Sequence, residues 1–136
     1  MVRPKHFGGR PSVSMEFPRD LESPGRVRSL LRRLLGGAED PIAADVELAA
    51  SELVSNVVQH TADGGWVRAW DPKPDVPFLL EVEDTSPQLD VSSSGTVHGG
   101  HGLGNGENGA DEWGVDRNEN GKTVWAVFDR SKRPQE

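Results

Sequence analysis

The stretch SELVSNVVQH, Ser51 to His60, decides how the rest of the chain is read. Extended back through Ile42, Val46 and Ala49, its apolar residues Leu53 and Val57 keep the spacing of one helix. That helix runs to about His60, where TADGG breaks the chain. Glu52 and Asn56 stand one turn apart on it, about 40° apart in projection. Both lie beside the stripe of Ala49, Leu53 and Val57 rather than opposite it, at the edge of the core where a cleft can open. A carboxylate placed there can orient or deprotonate an attacking hydroxyl. A neutral amide oxygen is a hard ligand for Mg²⁺, which takes its other ligands from water and phosphates. Two ordinary polar residues at the rim of a core fit the same spacing, and from this helix alone they are the simpler reading.

The wider composition narrows the class. A chain of 136 residues suffices for one compact domain. A hydrophobic fraction of 34%, with 16 glycines and 10 prolines, suggests a loop-rich soluble protein. The absence of cysteine excludes a disulfide framework, a thiolate metal site and a thiolate nucleophile. No apolar run approaches the roughly 20 residues that span a bilayer. The N-terminus MVRPKHFGGRPS is basic but leads into no hydrophobic signal region, so a cytoplasmic protein without a membrane partner is expected. A net charge of −7 argues against a broad or direct nucleic-acid surface. The arginines nevertheless cluster in RVRSLLRR, with Arg26, Arg28, Arg32 and Arg33 among leucines. A solvated helix face is the plainer reading of that cluster; a docking surface for an acidic protein partner is the sharper one.

Along the chain, residues 1–11 read as a flexible tail, 12–130 as the domain and 131–136 as a C-terminal tail. Val13, Met15 and Phe17 alternate in SVSMEF and predict a short strand. Ser23-Pro24 signals a helix start, the hydroxyl capping free amides and the proline standing where no N–H is needed. Val27, Leu30, Leu31, Leu34 and Leu35 form one apolar stripe, ended by Gly36-Gly37. Asp40-Pro41 repeats the start signal before the second helix. WVRAW (66–70), FLLEVED (78–84) and KTVWAVF (122–128) read as strands, the last preceded by an Asn120-Gly121 turn. Short turns between strands, and one apolar stripe per helix, predict an α+β two-layer sandwich: a largely antiparallel sheet covered on one face by helices.

Two further segments carry chemistry. Asp84 ends the strand LLEVED before TSPQL, where a carboxylate can accept a hydrogen bond from an exocyclic amine; ordinary turn chemistry also puts aspartate at such junctions. In GTVHGGHGLGNGENGADEWGV, six glycines fall between Gly99 and Gly109, at 99, 100, 102, 104, 106 and 109. Bare backbone amides in such a segment can approach phosphate oxygens, and the segment can move as a lid; a plain flexible linker has the same composition. His98 and His101 make a poor case for zinc in a chain with four histidines and no cysteine.

Taken in order, Glu-x-x-x-Asn on a helix, Asp with DTSP at a strand end, a glycine-rich segment reaching HGLG and ADEWGV, and then GKTVW resemble the GHKL ATPase superfamily, which includes gyrase-type, histidine-kinase and MutL-type ATPases. The likeness spans roughly residues 13 to 128 and is nearest to the small stand-alone actinobacterial members related to anti-sigma-factor serine kinases. It implies a Bergerat-type ATP-binding fold, with the nucleotide between the helices and a mixed, mainly antiparallel sheet. It implies Glu52 as general base, Asn56 as Mg²⁺ ligand, Asp84 as the adenine contact, and Gly100, Gly102, Leu103 and Gly104 in the phosphate-facing lid. ATP and Mg²⁺ are the implied cofactors. The implied partners are a sigma factor, an anti-anti-sigma factor whose serine is phosphorylated, or both, with a homodimer common among such kinases.

The lid departs from the family pattern. Aliphatic residues of an amphipathic helix are replaced at Asn105, Gly106 and Gly109. Glycine costs up to about 1 kcal/mol per helical position relative to alanine, and each lost buried side chain removes roughly 1.5–3 kcal/mol of packing. Either the lid orders only over nucleotide, or the protein is a catalytically degenerate module that sequesters a sigma factor or other regulator without phosphoryl transfer. Retention of Glu52, Asn56 and Asp84 favours the first.

Overall fold

The structure, a computed structural model, describes residues 9–61, 63–72, 75–85 and 109–133. Apolar residues alternate in β1 (Val13–Phe17), whereas β2 (Gly65–Trp70) and β3 (Phe78–Asp84) carry buried apolar residues on both faces. A further hairpin follows, β4 (Glu112–Asn118) and β5 (Gly121–Phe128). The strands lie in the order β1-β2-β3-β5-β4, and all four neighbouring pairs are antiparallel. The described sheet is therefore antiparallel throughout, in keeping with the mainly antiparallel sheet expected.

Two helices, α1 (Ser23–Leu35) and α2 (Ala43–His60), pack side by side, and α2 lies across β3 and β5. The helix-facing residues Val67, Ala69, Leu80, Val82, Val124 and Ala126 meet Val46, Ala49, Leu53 and Val57 in one core. This is the expected α+β sandwich with helices on one face. The ring of Phe78 meets that of Phe128, its register partner, edge-on at 6.2 Å between centroids. Among the described residues no helix is long and apolar enough to cross a membrane.

The start of α1 differs from the expectation. Ser23 is already helical, Glu22 takes the N-cap position without a side-chain bond, and the Ser23 hydroxyl donates to the Pro18 carbonyl at 2.7 Å. The hydroxyl thus pins the strand-to-helix turn rather than capping amides. At α2 the expected signal works one residue apart: Asp40 accepts from the Ile42 amide at 3.2 Å, just before the first helical residue.

A clasp of ion pairs closes one end of the sandwich. After β5, Arg130 donates to both oxygens of Asp40 at 3.0 Å and reaches Asp71. Burial pulls its pKa down, and the bonds and charges of Asp40 and Asp71 more than offset that, leaving it raised. Arg133 pairs with Asp45 and Asp111 and donates to the Gly109 carbonyl at 2.9 Å. The N-terminal turns of α2 are thereby fixed at the sheet end formed by Trp70, Phe78 and Phe128, so the C-terminal half of α2 covers the opposite end.

On the face away from the helices, Trp70, Leu79, Trp125 and Val127 form a smaller cluster. The fully buried Trp125 lies over Gly114, its register partner on β4. A Cβ at Gly114 would stand 2.6 Å from the indole Cζ2, inside the ring's van der Waals surface. Gly114→Ala should therefore cost about 1–3 kcal/mol by forcing the indole aside, read as a lowered urea midpoint with altered tryptophan fluorescence. An unchanged midpoint would show that the ring has room to move.

Candidate functional site

Glu52 and Asn56 occupy the C-terminal half of α2, each half-buried and flanked by the buried Leu53 and Val57. Their placement at the edge of the core matches the projection made from spacing alone. One turn of helix keeps the carboxylate and the amide on the same flank. The preceding Ser51 accepts a hydrogen bond from Arg28 of α1 at 3.0 Å, which ties the two helices together beside the pair.

Below this half of α2 lies the sheet end where β2 and β5 begin and β3 stops. One row of register partners crosses it: Phe17, Gly65, Asp84, Lys122 and Arg117. Asp84 is two residues beyond Val82 and Lys122 two before Val124, so both face the helices. Both are buried, at 3% and 4% exposure. The Lys122 ammonium donates to Asp84 Oδ2 at 2.5 Å. Their approach depends on Gly121, where a Cβ would collide with the Asp84 carbonyl oxygen. Only a residue without a side chain lets β5 start against the end of β3.

Lys122 is the charged residue at this sheet end that motif reading passes over. A signal for it exists in the sequence: it holds an inward position in the series Val124, Ala126, Phe128, where a charge needs a buried partner. What the sequence does not show is the strand register that makes Asp84 that partner.

A cleft of about 600 Å³ opens at the same sheet end, lined by residues including Phe17, Asp63, Gly65, Trp66 and Thr85. It adjoins Asp84 through Gly65 and Thr85, and its lining includes neither Glu52 nor Asn56. A second groove, of about 740 Å³, runs between β1 and α1 past Met15, Leu21 and Leu30. Of the clustered arginines, Arg26 pairs with Asp20 and Glu22, Arg28 bonds Ser51, and Arg32 holds Glu47 with two bonds of 3.0 and 2.7 Å. Arg26, Arg28 and Arg33 line the groove. Gly100, Gly102, Leu103 and Gly104, with His98 and His101, lie outside the described residues.

The arrangement brings an α2 carboxylate and amide to the sheet end that carries a buried aspartate. Comparison with known proteins agrees with this topology. The family model of the histidine kinase-like ATPase domain matches residues 17–128. Among solved structures, the chain is similar to that of the RsbU and RsbW domains of Rv1364c from Mycobacterium tuberculosis, with a TM-score of 0.62 and 21% identity. That match covers 86% of this chain and 31% of the other, so this chain spans about a third of its length. Comparison with curated proteins gives no match. With strand order, helix placement and a family match over most of its length in agreement, the chain belongs to the histidine kinase-like ATPase domain family.

Proposed function

We propose that this protein binds ATP with Mg²⁺ and acts as a regulatory serine/threonine kinase on a protein partner of the sigma-factor control type. The observation that carries the reading is the pairing of Glu52 and Asn56 on the half of α2 that covers the Asp84 end of the sheet. The match to the histidine kinase-like ATPase domain supports the nucleotide, and the similarity to a structure containing an RsbW domain supports the regulatory setting.

In this reading Asp84 receives the exocyclic amine of adenine. The amide oxygen of Asn56 fits Mg²⁺, being neutral, oxygen-based and half-buried at the edge of the core. Mg²⁺ held by Asn56 would supply charge neutralisation to the transferring phosphoryl group. Glu52 accepts the proton of the partner's serine hydroxyl as its oxygen bonds the γ-phosphorus, the bond to the β–γ bridging oxygen breaks, and ADP leaves. Positioning carries most of the catalysis, because the transition state is loose and in line. Gly100, Gly102, Leu103 and Gly104 would supply backbone amides to the phosphates.

Calorimetric titration tests the site. ATP binding should need Mg²⁺, and Asn56→Ala should weaken the Mg²⁺-dependent part about tenfold or more while leaving the metal-free part alone. No binding of ATP at millimolar concentration would remove the nucleotide reading. A second reading, partner capture without transfer, draws on the groove beside α1, where Leu21 is 88% exposed among Arg26, Arg28 and Arg33.

A further inference from the structure

Trp66 is 38% exposed, and its neighbour Val67 is in the core, so the indole stands on the sheet face turned away from the helices. Its register partners on that face are Glu16 of β1 and Glu83 of β3, which places the ring between two carboxylates. Glu83 is taken by Arg68 at 2.5 Å. Glu16 is exposed and has no ion pair among the described residues, and the same is true of Asp63. Glu16, Asp63 and Trp66 line one cleft of about 600 Å³, together with Phe17 and Pro18. No basic side chain lines it, and Arg19, which follows Pro18, donates to the Thr61 carbonyl at 2.8 Å. Its inner wall is bare backbone at Gly64, where a Cβ would collide with the Phe17 carbonyl oxygen.

We infer that this cleft docks an arginine-bearing segment of a protein partner, its guanidinium stacked on Trp66 and donating to the Glu16 and Asp63 carboxylates. Three features of the cleft select that chemistry. Two carboxylates without counter-ions repel phosphates and carboxylates and attract a cation. An exposed indole adds a flat face, which a guanidinium covers better than a compact, strongly hydrated ammonium does. Phe17 and Pro18 give the apolar stem of the side chain a surface to lie on. The chain's net charge of −7 draws a basic segment in from a distance. The groove between β1 and α1 is lined by Arg26, Arg28 and Arg33 and has the opposite sign, so the two surfaces take different partners or different parts of one. The inference goes beyond the nucleotide reading and does not depend on it.

The probe is a blocked Ser-Arg-Gly-Arg-Ser peptide, titrated without nucleotide into the ¹⁵N-labelled full chain and followed by NMR. Its control is the same peptide with citrulline, the neutral isostere, in place of arginine. The arginine peptide should shift the Trp66 indole N–H and the amides of Gly64, Gly65 and Thr85 saturably, and the citrulline peptide should not. Glu16→Gln with Asp63→Asn should weaken binding about fivefold to tenfold, and Trp66→Ala about threefold. Both carboxylates are exposed, so the double variant keeps the fold. Glu112→Gln with Asp116→Asn removes the same charge from exposed positions on β4 and should leave the affinity unchanged. Equal weakening by that pair overturns the inference, because net charge alone would then bind the peptide. Shifts by the citrulline peptide, or shifts absent from the cleft, overturn it as well. A smaller sedimentation coefficient for the free Glu16→Gln, Asp63→Asn chain would give the cleft to a second copy and also overturn it.

Discussion

Lys122→Met should lower the free energy of unfolding by about 3–5 kcal/mol, the usual result of removing one partner of a buried ion pair. The carboxylate of Asp84, 3% exposed, loses an ammonium 2.5 Å away and gains a thioether. The expected loss is a large share of the roughly 5–15 kcal/mol that holds a domain of this size folded. Asp84→Leu with Lys122→Met should recover most of it, since apolar replacement of both members of a buried pair is often neutral or stabilising. Denaturant titration of the two single variants and the double variant gives the coupling directly. A single-variant loss below about 1 kcal/mol would mean the pair behaves as a solvated surface contact. Recovery in the double variant has a further implication. A pair that is replaceable for stability is present for another reason, and recognition at the sheet end is the reason proposed here.

The elements legible in the sequence are those whose pattern is long or uninterrupted. The second helix keeps its period from Ile42 to Val57, and FLLEVED is a dense apolar run; both fall where expected. β4 was not legible, for a physical reason. Only Trp113 and Val115 point to the core, Gly114 faces the other way under an indole, and the strand emerges from a glycine-rich stretch that reads as loop. The β4–β5 turn also sits one residue earlier than Asn120-Gly121 suggests, because Asn118 pairs with Gly121 and leaves Glu119 and Asn120 as the two loop residues. Arg130 and Arg133 gave no sequence signal, since their partners Asp40, Asp45, Asp71 and Asp111 are scattered along the chain and meet only in the fold. The candidate site divides the same way. Glu52 and Asn56 are local to one helix and could be placed by projection, whereas the contact between Asp84 and Lys122 exists only in the register of β3 against β5.

Glu52→Gln should reduce phosphoryl transfer to a serine-bearing partner by about a hundredfold to ten-thousandfold, the range that loss of a positioned general base produces. The amide keeps the size and the half-buried position of the carboxylate beside Leu53, so neither folding nor ATP affinity should change appreciably. The effect belongs in kcat, with KM for ATP unaltered, because the proton is taken only as the bond to phosphorus forms. Transfer of label from γ-phosphate-labelled ATP, followed beside a calorimetric ATP titration, separates the two quantities. The same variant also divides the two functional readings. If regulation of the partner depends on transfer, Glu52→Gln abolishes it while binding both ATP and partner. If the variant regulates as the unaltered protein does, the groove between β1 and α1 carries the function. Leu21→Asp, which puts a charge on the most exposed large apolar side chain of that groove, should then be the change that abolishes regulation.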